Sequence, residues 1–372
     1  DAKTNWTAVY WYDGLEIIME NFKLFGNVEQ GKSFLESMKS KRFLFSFVIS
    51  YTETCEIPGI TFAGADKDSI KFTPPADAEY LHYGYCKTID KIPMTPDGKP
   101  TPGLLTKTAL ESASIPHLTI NAGSKISPQL PFVDTGMSYG KNILNDNAMT
   151  DSQVSHAVDY GRIVGRSMAS LTDCLVIGES IPGGTTTALA VLKALGYDAK
   201  VSSSIPNNPI ELKNQIVKSA LERIDSDHPY SIVAKVGDPM IPFVAGMLSS
   251  ASSISNVMLA GGTQMAAVLA FAVKIGFNEE NTVIGTTSYI TDDKGANFTS
   301  LVKQIADIPA IAVNPDLENS QYAGLKAFSE GFGKEGVGAG GSIISSMIKT
   351  GNDSTKFLDL AEKEYHRLFT SQ

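Results

Sequence analysis

Apolar positions along this chain follow two regimes. From about residue 171 onward, short apolar runs alternate regularly with helical patterns. "CLVIGESIPGGTTTALAVLKALG", "YSIVAKVGDPMIPFVAGMLSSAS" and "SNVMLAGGTQMAAVLAFAVKIG" each read as buried strand, turn and helix. "NTVIGTTSYITDD" and "PAIAVNPDLENSQYAGLKAF" predict two more strands, each ending in a polar or glycine turn. Apolar strands alternating with helices predict an α/β fold with a mostly parallel sheet wrapped by helices. The units share an order of elements and no sequence, which excludes a solenoid.

The first half is less regular. In "GLEIIMENFKLF", Leu15, Ile18, Met19 and Phe22 follow the i, i+3, i+4, i+7 spacing of a helix. "RFLFSFVIS" is a continuous apolar run of the kind buried on both faces of a sheet. "PHLTINAG" predicts another short strand, and "DSQVSHAVDYGRIVGRSMASL" a helix capped by Asp151 or Ser152. Between them, "IPGITFAGAD", "FTPPADAEYLHYGYC" and "IPMTPDGKPTPG" read as loops and a smaller layer. The organisation expected is a helical N-terminal extension over 1–40, which holds Trp6 and Trp11, and a core over 41–345. Residues 60–170 would supply a smaller helical and irregular domain, and 346–372 a C-terminal helix.

Composition narrows the function. The 372 residues are 42% hydrophobic and 19% charged, as in an ordinary globular protein. A net charge of −9 argues against nucleic acid as a partner, because that needs a basic footprint. Cys55, Cys86 and Cys174 are far apart and form no disulfide framework, which points to a reducing, cytoplasmic location. The five histidines have no ligand spacing, so no metal is expected. The apolar run "MAAVLAFAV" is far shorter than the ~20 residues of a membrane span and predicts a buried helix.

Candidate chemistry collects at glycines. In parallel sheets, ligands bind at the carboxyl ends of strands. Gly178, Gly183 and Gly184 fall there after one predicted strand, Gly237 after the next, and Gly261 and Gly262 before Thr263 after the third. "GESIPGGTTT" is neither a GxxxxGK[ST] loop nor GxGxxG. Two readings stay open for it. One is a plain turn between strand and helix. The other is an anion cradle at a helix start, with Thr185 and Thr186 adding hydroxyls. Glu179 reads as an acceptor for a sugar hydroxyl or amide, or as an exposed acid near a helix N-terminus. Asp238 reads as a ligand contact or as part of an Asp-Pro turn. "GFGKEGVGAGGS" packs six glycines into residues 331–342 around the single carboxylate Glu335. It suits a loop approaching a ligand closely, with Glu335 as general base, or a mobile linker.

Taken together, these stretches resemble the nicotinate-nucleotide:dimethylbenzimidazole phosphoribosyltransferases of cobalamin assembly. "GESIPGGTTTA" is similar to that family's GEMGIGNTTAA loop, and "KEGVGA" to its GEGTGA. The spelling "GESIPGGTTTALAVLKALGYDA", with "TETCEIPGITFAGAD" upstream, resembles a divergent branch found in archaea and cyanobacteria. The resemblance implies a Rossmann-like α/β/α core, a homodimer and no cofactor. It implies transfer of phosphoribose from nicotinate mononucleotide to a base, dimethylbenzimidazole or adenine-like, giving an α-riboside and nicotinate. Glu335 would remove the base proton. Glu179, Gly183, Gly184, Thr185 and Thr186 would lie near the nucleotide. Gly237, Asp238, Gly261, Gly262, Thr263, Gly336 and Gly338 complete the expected binding set. Gly184 stands where that family has asparagine, Val337 where it has threonine, and its GDHG-like N-terminal motif is missing. Two rival readings are a nucleotide-binding protein without turnover and another phosphosugar enzyme on the same sheet.

Overall fold

The structure, a computed structural model, describes residues 7–11, 14–18, 21–61, 63–64, 66–95 and 97–369, with those before residue 21 given by backbone alone. Trp6 and Met19 lie outside the described residues. Among the described residues, ten strands form one sheet. They are β1 (Thr7–Trp11), β2 (Gly14–Ile18), β3 (Phe22–Gly26), β4 (Phe43–Ile49), β5 (His117–Asn121), β6 (Val133–Asp134), β7 (Cys174–Ser180), β8 (Asn256–Ala260), β9 (Thr282–Thr287) and β10 (Pro309–Val313). The order is β1-β2-β3-β10-β9-β8-β7-β4-β5-β6. Every pair from β10 to β6 is parallel, and the β1–β3 meander joins β10 antiparallel.

Helices cover both faces. In chain order they are α1 (Val28–Ser37), α2 (Thr73–Tyr83), α3 (Gly103–Ser112), α4 (Asp151–Ala169), α5 (Gly184–Ala194), α6 (Ile210–Leu221) and α7 (Pro229–Val236). Then come α8 (Met240–Ala251), α9 (Thr263–Ile275), α10 (Ser288–Thr291), α11 (Phe298–Ile305), α12 (Ala323–Ser329), α13 (Ala339–Thr350) and α14 (Ser354–Phe369). Leu175 and Ile177 of β7 enter the core beneath α4 to α9 and α11, while Cys174 and Val176 enter the one beneath α1 to α3 and α12 to α14. This alternation explains why the central strands read as unbroken apolar runs: both faces are covered. Among the described residues no helix is long and apolar enough to cross a membrane.

Several expectations are corrected. The helix expected over 14–25 is instead β2 and β3. Two turns of helix-like spacing also fit a hairpin, and pairing with β10, Leu24 opposite Ile311, decides it. The described part of 1–40 therefore extends the sheet, with α1 its one helix. "YSIVAKV" is helix α7, opened by Pro229 and buried at Ser231–Ala234 and Val236. A short run buried around its circumference looks the same whether helix or strand. Helix α4 is capped by Thr150, one residue before the expected cap, in a reciprocal pair with Gln153. Residue 346 lies inside α13, so no boundary falls there. Residues 60–170 divide: β5 and β6 continue the sheet, whereas α2 and the loops at 60–64 and 93–102 form one wall of the cavity described next.

Candidate active site

A cavity of about 1150 Å³, including its open mouth, lies at the carboxyl ends of the central strands. Its floor starts at Glu179 and Ser180, the buried end of β7. The chain then turns through Ile181, Pro182 and Gly183 into α5. Gly183 has φ +76°, and a Cβ there would come 2.8 Å from the Cβ of Cys55. Turn geometry and packing thus require this glycine. Yet Gly183, Gly184 and Thr185 also line the cavity. The two readings of "GESIPGGTTT" are compatible, since one turn serves the fold and borders the cavity.

The second glycine stretch is ordered. The Val337 N–H donates to the Glu179 carbonyl at 2.9 Å, and the Thr106 hydroxyl donates to the Val337 carbonyl at 2.9 Å. The Gly333 N–H donates to the Ser204 carbonyl at 2.8 Å. Val337 itself sits at φ +56°, a strained conformation for a β-branched residue that these bonds hold in place. The mobile-linker reading of this segment is set aside.

Glu335 projects from this loop over the end of β9. One carboxylate oxygen accepts from the Thr287 N–H at 2.9 Å and the Thr286 hydroxyl at 3.2 Å. The other accepts from the Gly340 N–H at 3.0 Å and the Gly336 N–H at 3.4 Å. Its residual exposure is toward the cavity. Burial pushes its pKa up to about 7, against the lowering effect of these donors. A carboxylate so placed can take a proton near neutrality, at the two longer bonds.

Glu179 is buried, and burial with the neighbouring Asp238 and Glu335 charges pushes it up to about 8. At neutral pH it is therefore a neutral hydrogen-bond donor. Both acids are raised by burial within one cavity, Glu179 the more so because the Glu335 charge opposes its ionisation, so Glu335 is the first of the two to lose its proton.

Of the residues expected from sequence, Glu179, Gly183, Gly184, Thr185, Gly262, Thr263, Glu335 and Gly336 line the cavity. Gly237, Asp238, Gly261, Gly338 and Thr186 do not. Because α7 is a helix, Gly237 and Asp238 join two helices instead of ending a strand. Asp238 accepts from the Thr187 hydroxyl and, at 3.2 Å, from the Ile241 N–H near the start of α8. Gly261 donates its N–H to the Gly285 carbonyl, and Gly338 packs against Phe45 and Gly178. Thr186 is buried, its hydroxyl without a partner among the described residues.

Sequence reasoning missed Asp77, on α2, and Ser202, Ser203 and Ser204, all of which line the cavity. The stretch that holds Asp77, "FTPPADAEYLHYGYC", reads from sequence as loop, where an acid carries no particular signal. Behind the serines, the Lys334 ammonium pairs with Asp293 at 2.6 Å, and the Ser202 hydroxyl donates to the same carboxylate oxygen at 2.7 Å. Lys213, fully buried, donates to the Ser202 carbonyl at 3.1 Å. Burial and the Lys334 charge push Lys213 down to about 7. Among the described residues, no three His, Cys, Asp or Glu side chains form a group that could hold a metal ion.

Residues 112–290 match a family model described as phosphoribosyltransferase. A UPF0284 protein of Archaeoglobus fulgidus is 46% identical over 91% of this chain and 98% of its own length. One from Sulfurisphaera tokodaii is 41% identical over 90% and 96%. Among solved structures, CobT from Thermus thermophilus superposes with a TM-score of 0.59 at 16% identity, covering 89% of this chain and 91% of that one. A nicotinate-nucleotide-dimethylbenzimidazole phosphoribosyltransferase structure from the same organism gives 0.57 at 15%, over 90% and 92%. At this identity the two structures establish the shared fold.

Proposed function

This chain belongs to the UPF0284 family, and from that premise, supported by the phosphoribosyltransferase match over 112–290 and the fold shared with CobT, we propose that it transfers phosphoribose from nicotinate mononucleotide to an aromatic base. The product is an α-riboside phosphate for the lower ligand of a cobalamin-type corrinoid. The observation that carries this reading is Glu335, a carboxylate tuned to neutrality in a cavity bordered by the starts of α5 and α9.

The chemistry follows from the residues. A ring nitrogen of the base attacks the anomeric carbon while Glu335 takes the proton from the base N–H. The bond to nicotinate breaks, and its electron pair leaves on the pyridine nitrogen, which neutralises the pyridinium. The leaving group departs from the face opposite attack, which inverts the β-nucleotide to an α-riboside. Gly183, Gly184 and Thr185 at the start of α5 suit the phosphate, helped by the helix dipole. Glu179, neutral at pH 7, donates to a ribose or carboxylate oxygen. The chain works as a homodimer in the cytoplasm and needs no cofactor for this displacement.

The test is incubation with nicotinate mononucleotide and a panel of bases, followed by mass spectrometry and NMR. Nicotinate release that requires a base, with an α-linked product, is the expected result. Binding of the mononucleotide without product by folded protein would overturn this reading in favour of a nucleotide-binding role.

A further inference from the structure

Helix α2 carries two buried acids, and they are treated differently. Glu79 accepts from the N–H groups of Lys87, Thr88 and Gln129 at 2.6–2.7 Å and from the Thr88 hydroxyl. Its four donors tie two loops to the helix, and it lies off the cavity. Asp77, 1% exposed, has two side-chain partners: the Thr101 hydroxyl at 2.7 Å on one oxygen and the Ser180 hydroxyl at 2.9 Å on the other. No cation pairs with it among the described residues. Asp77, Thr101 and Ser180 all line the cavity.

A buried carboxyl without a cation is destabilising, and an apolar side chain of similar size would serve the fold better. Each Asp77 oxygen keeps a lone-pair position beyond its one hydroxyl donor. Ile60, Met94, Pro102, Phe328 and Phe332 give the same cavity an apolar wall. That wall continues to the candidate base, because Pro102 follows Thr101 and is the neighbour of Gly336, the residue after Glu335. Asp77 and Glu335 thus border the same cavity and are linked through Thr101 and Pro102.

We propose that Asp77 selects the acceptor: it hydrogen-bonds an exocyclic N–H or O–H on the aromatic base. The acceptors are therefore amino-substituted, purine-like rings in preference to alkyl-substituted benzimidazoles. This rests on the transferase reading given above. Burial pushes the Asp77 pKa up to about 7, so at neutral pH the carboxyl can both accept from an exocyclic amine and donate to the adjacent ring nitrogen. Dimethylbenzimidazole offers neither partner at that edge, and the polar trio would be buried against methyl groups at a cost in binding.

The experiment compares adenine, purine and dimethylbenzimidazole as acceptors for the full chain with nicotinate mononucleotide, in the wild type, Asp77→Asn and Asp77→Leu. Adenine and purine differ only in the exocyclic amine. The expected kcat/KM preference for adenine over purine is ~10- to 100-fold in the wild type. It should shrink in Asp77→Asn and vanish in Asp77→Leu, which instead gains on dimethylbenzimidazole. Equal use of adenine and purine by the wild type, or a preference that survives in a folded Asp77→Leu, would overturn the proposal. If Asp77→Leu does not fold, the wild-type ratio and Asp77→Asn decide. If no base releases nicotinate, the transferase reading fails separately. Calorimetric affinities of the same three bases, measured with the mononucleotide present, then decide the role of Asp77 by the same ratios.

Discussion

The backbone N–H of Val337 donates to the carbonyl of Glu179 at 2.9 Å. This bond joins two glycine stretches more than 150 residues apart and fixes Glu335, two residues away, relative to the end of β7. One residue along each chain, Gly178 and Gly338 meet backbone to backbone: a Cβ on either would fall 2.9 Å from the Cα of the other.

Gly338→Ala is therefore expected to be destabilising and to misplace Glu335. Its φ is +70°, and the new methyl would also meet Phe45 at 2.9–3.0 Å. The loss should be ~1–3 kcal/mol, as for other overpacked sites. Urea midpoints measure it, and nicotinate release should fall further than the change in stability alone explains.

Glu335→Gln keeps the shape and removes the base. Turnover should fall ~10²- to 10⁴-fold while affinity for nicotinate mononucleotide changes little. Single-turnover kinetics with calorimetry separates the two. An equal loss in both would assign Glu335 to binding.

The pH profile should be bell-shaped. Glu335 must be deprotonated, so kcat/KM rises as pH passes about 7. Glu179 must be neutral, so it falls as pH passes about 8. In Glu179→Gln, which is neutral at every pH, the acidic limb should remain and the basic limb disappear.

Stability should fall as pH rises across the same range. Asp77, Asp238, Glu179 and Glu335 have folded-state pKa values of about 7, 6, 8 and 7, above their ordinary 3.8 and 4.5. Between about pH 4 and 8 the native state thus binds more protons than the unfolded chain, and the slope of unfolding free energy with pH is negative. Asp238→Asn can keep the bonds to Thr187 and Ile241 while removing one titrating group. It should flatten the slope between about pH 4 and 6, with less than ~1 kcal/mol change in acid and little effect on KM. Thermal midpoints across pH check both statements.

Much of this molecule was legible in its sequence. Unbroken apolar runs such as "CLVIG" identify strands covered on both faces, and the glycine turns after β7 and β8, with Glu335, locate the carboxyl-end cavity. These signals are local: apolar periodicity, turn chemistry and a carboxylate among glycines. Short runs with two possible partners were not legible. Residues 14–25 pair with β10 and become strands, while "YSIVAKV" is buried between layers as a helix, which moves Gly237 and Asp238 off the strand ends. Asp77 was invisible for the same reason. An acid in a stretch that reads as loop looks solvated until the segment folds as α2, packs against the sheet and brings Thr101 and Ser180 to its carboxyl. Residue chemistry is written locally, but burial and pairing depend on partners distant in the chain, and only the tertiary structure decides them.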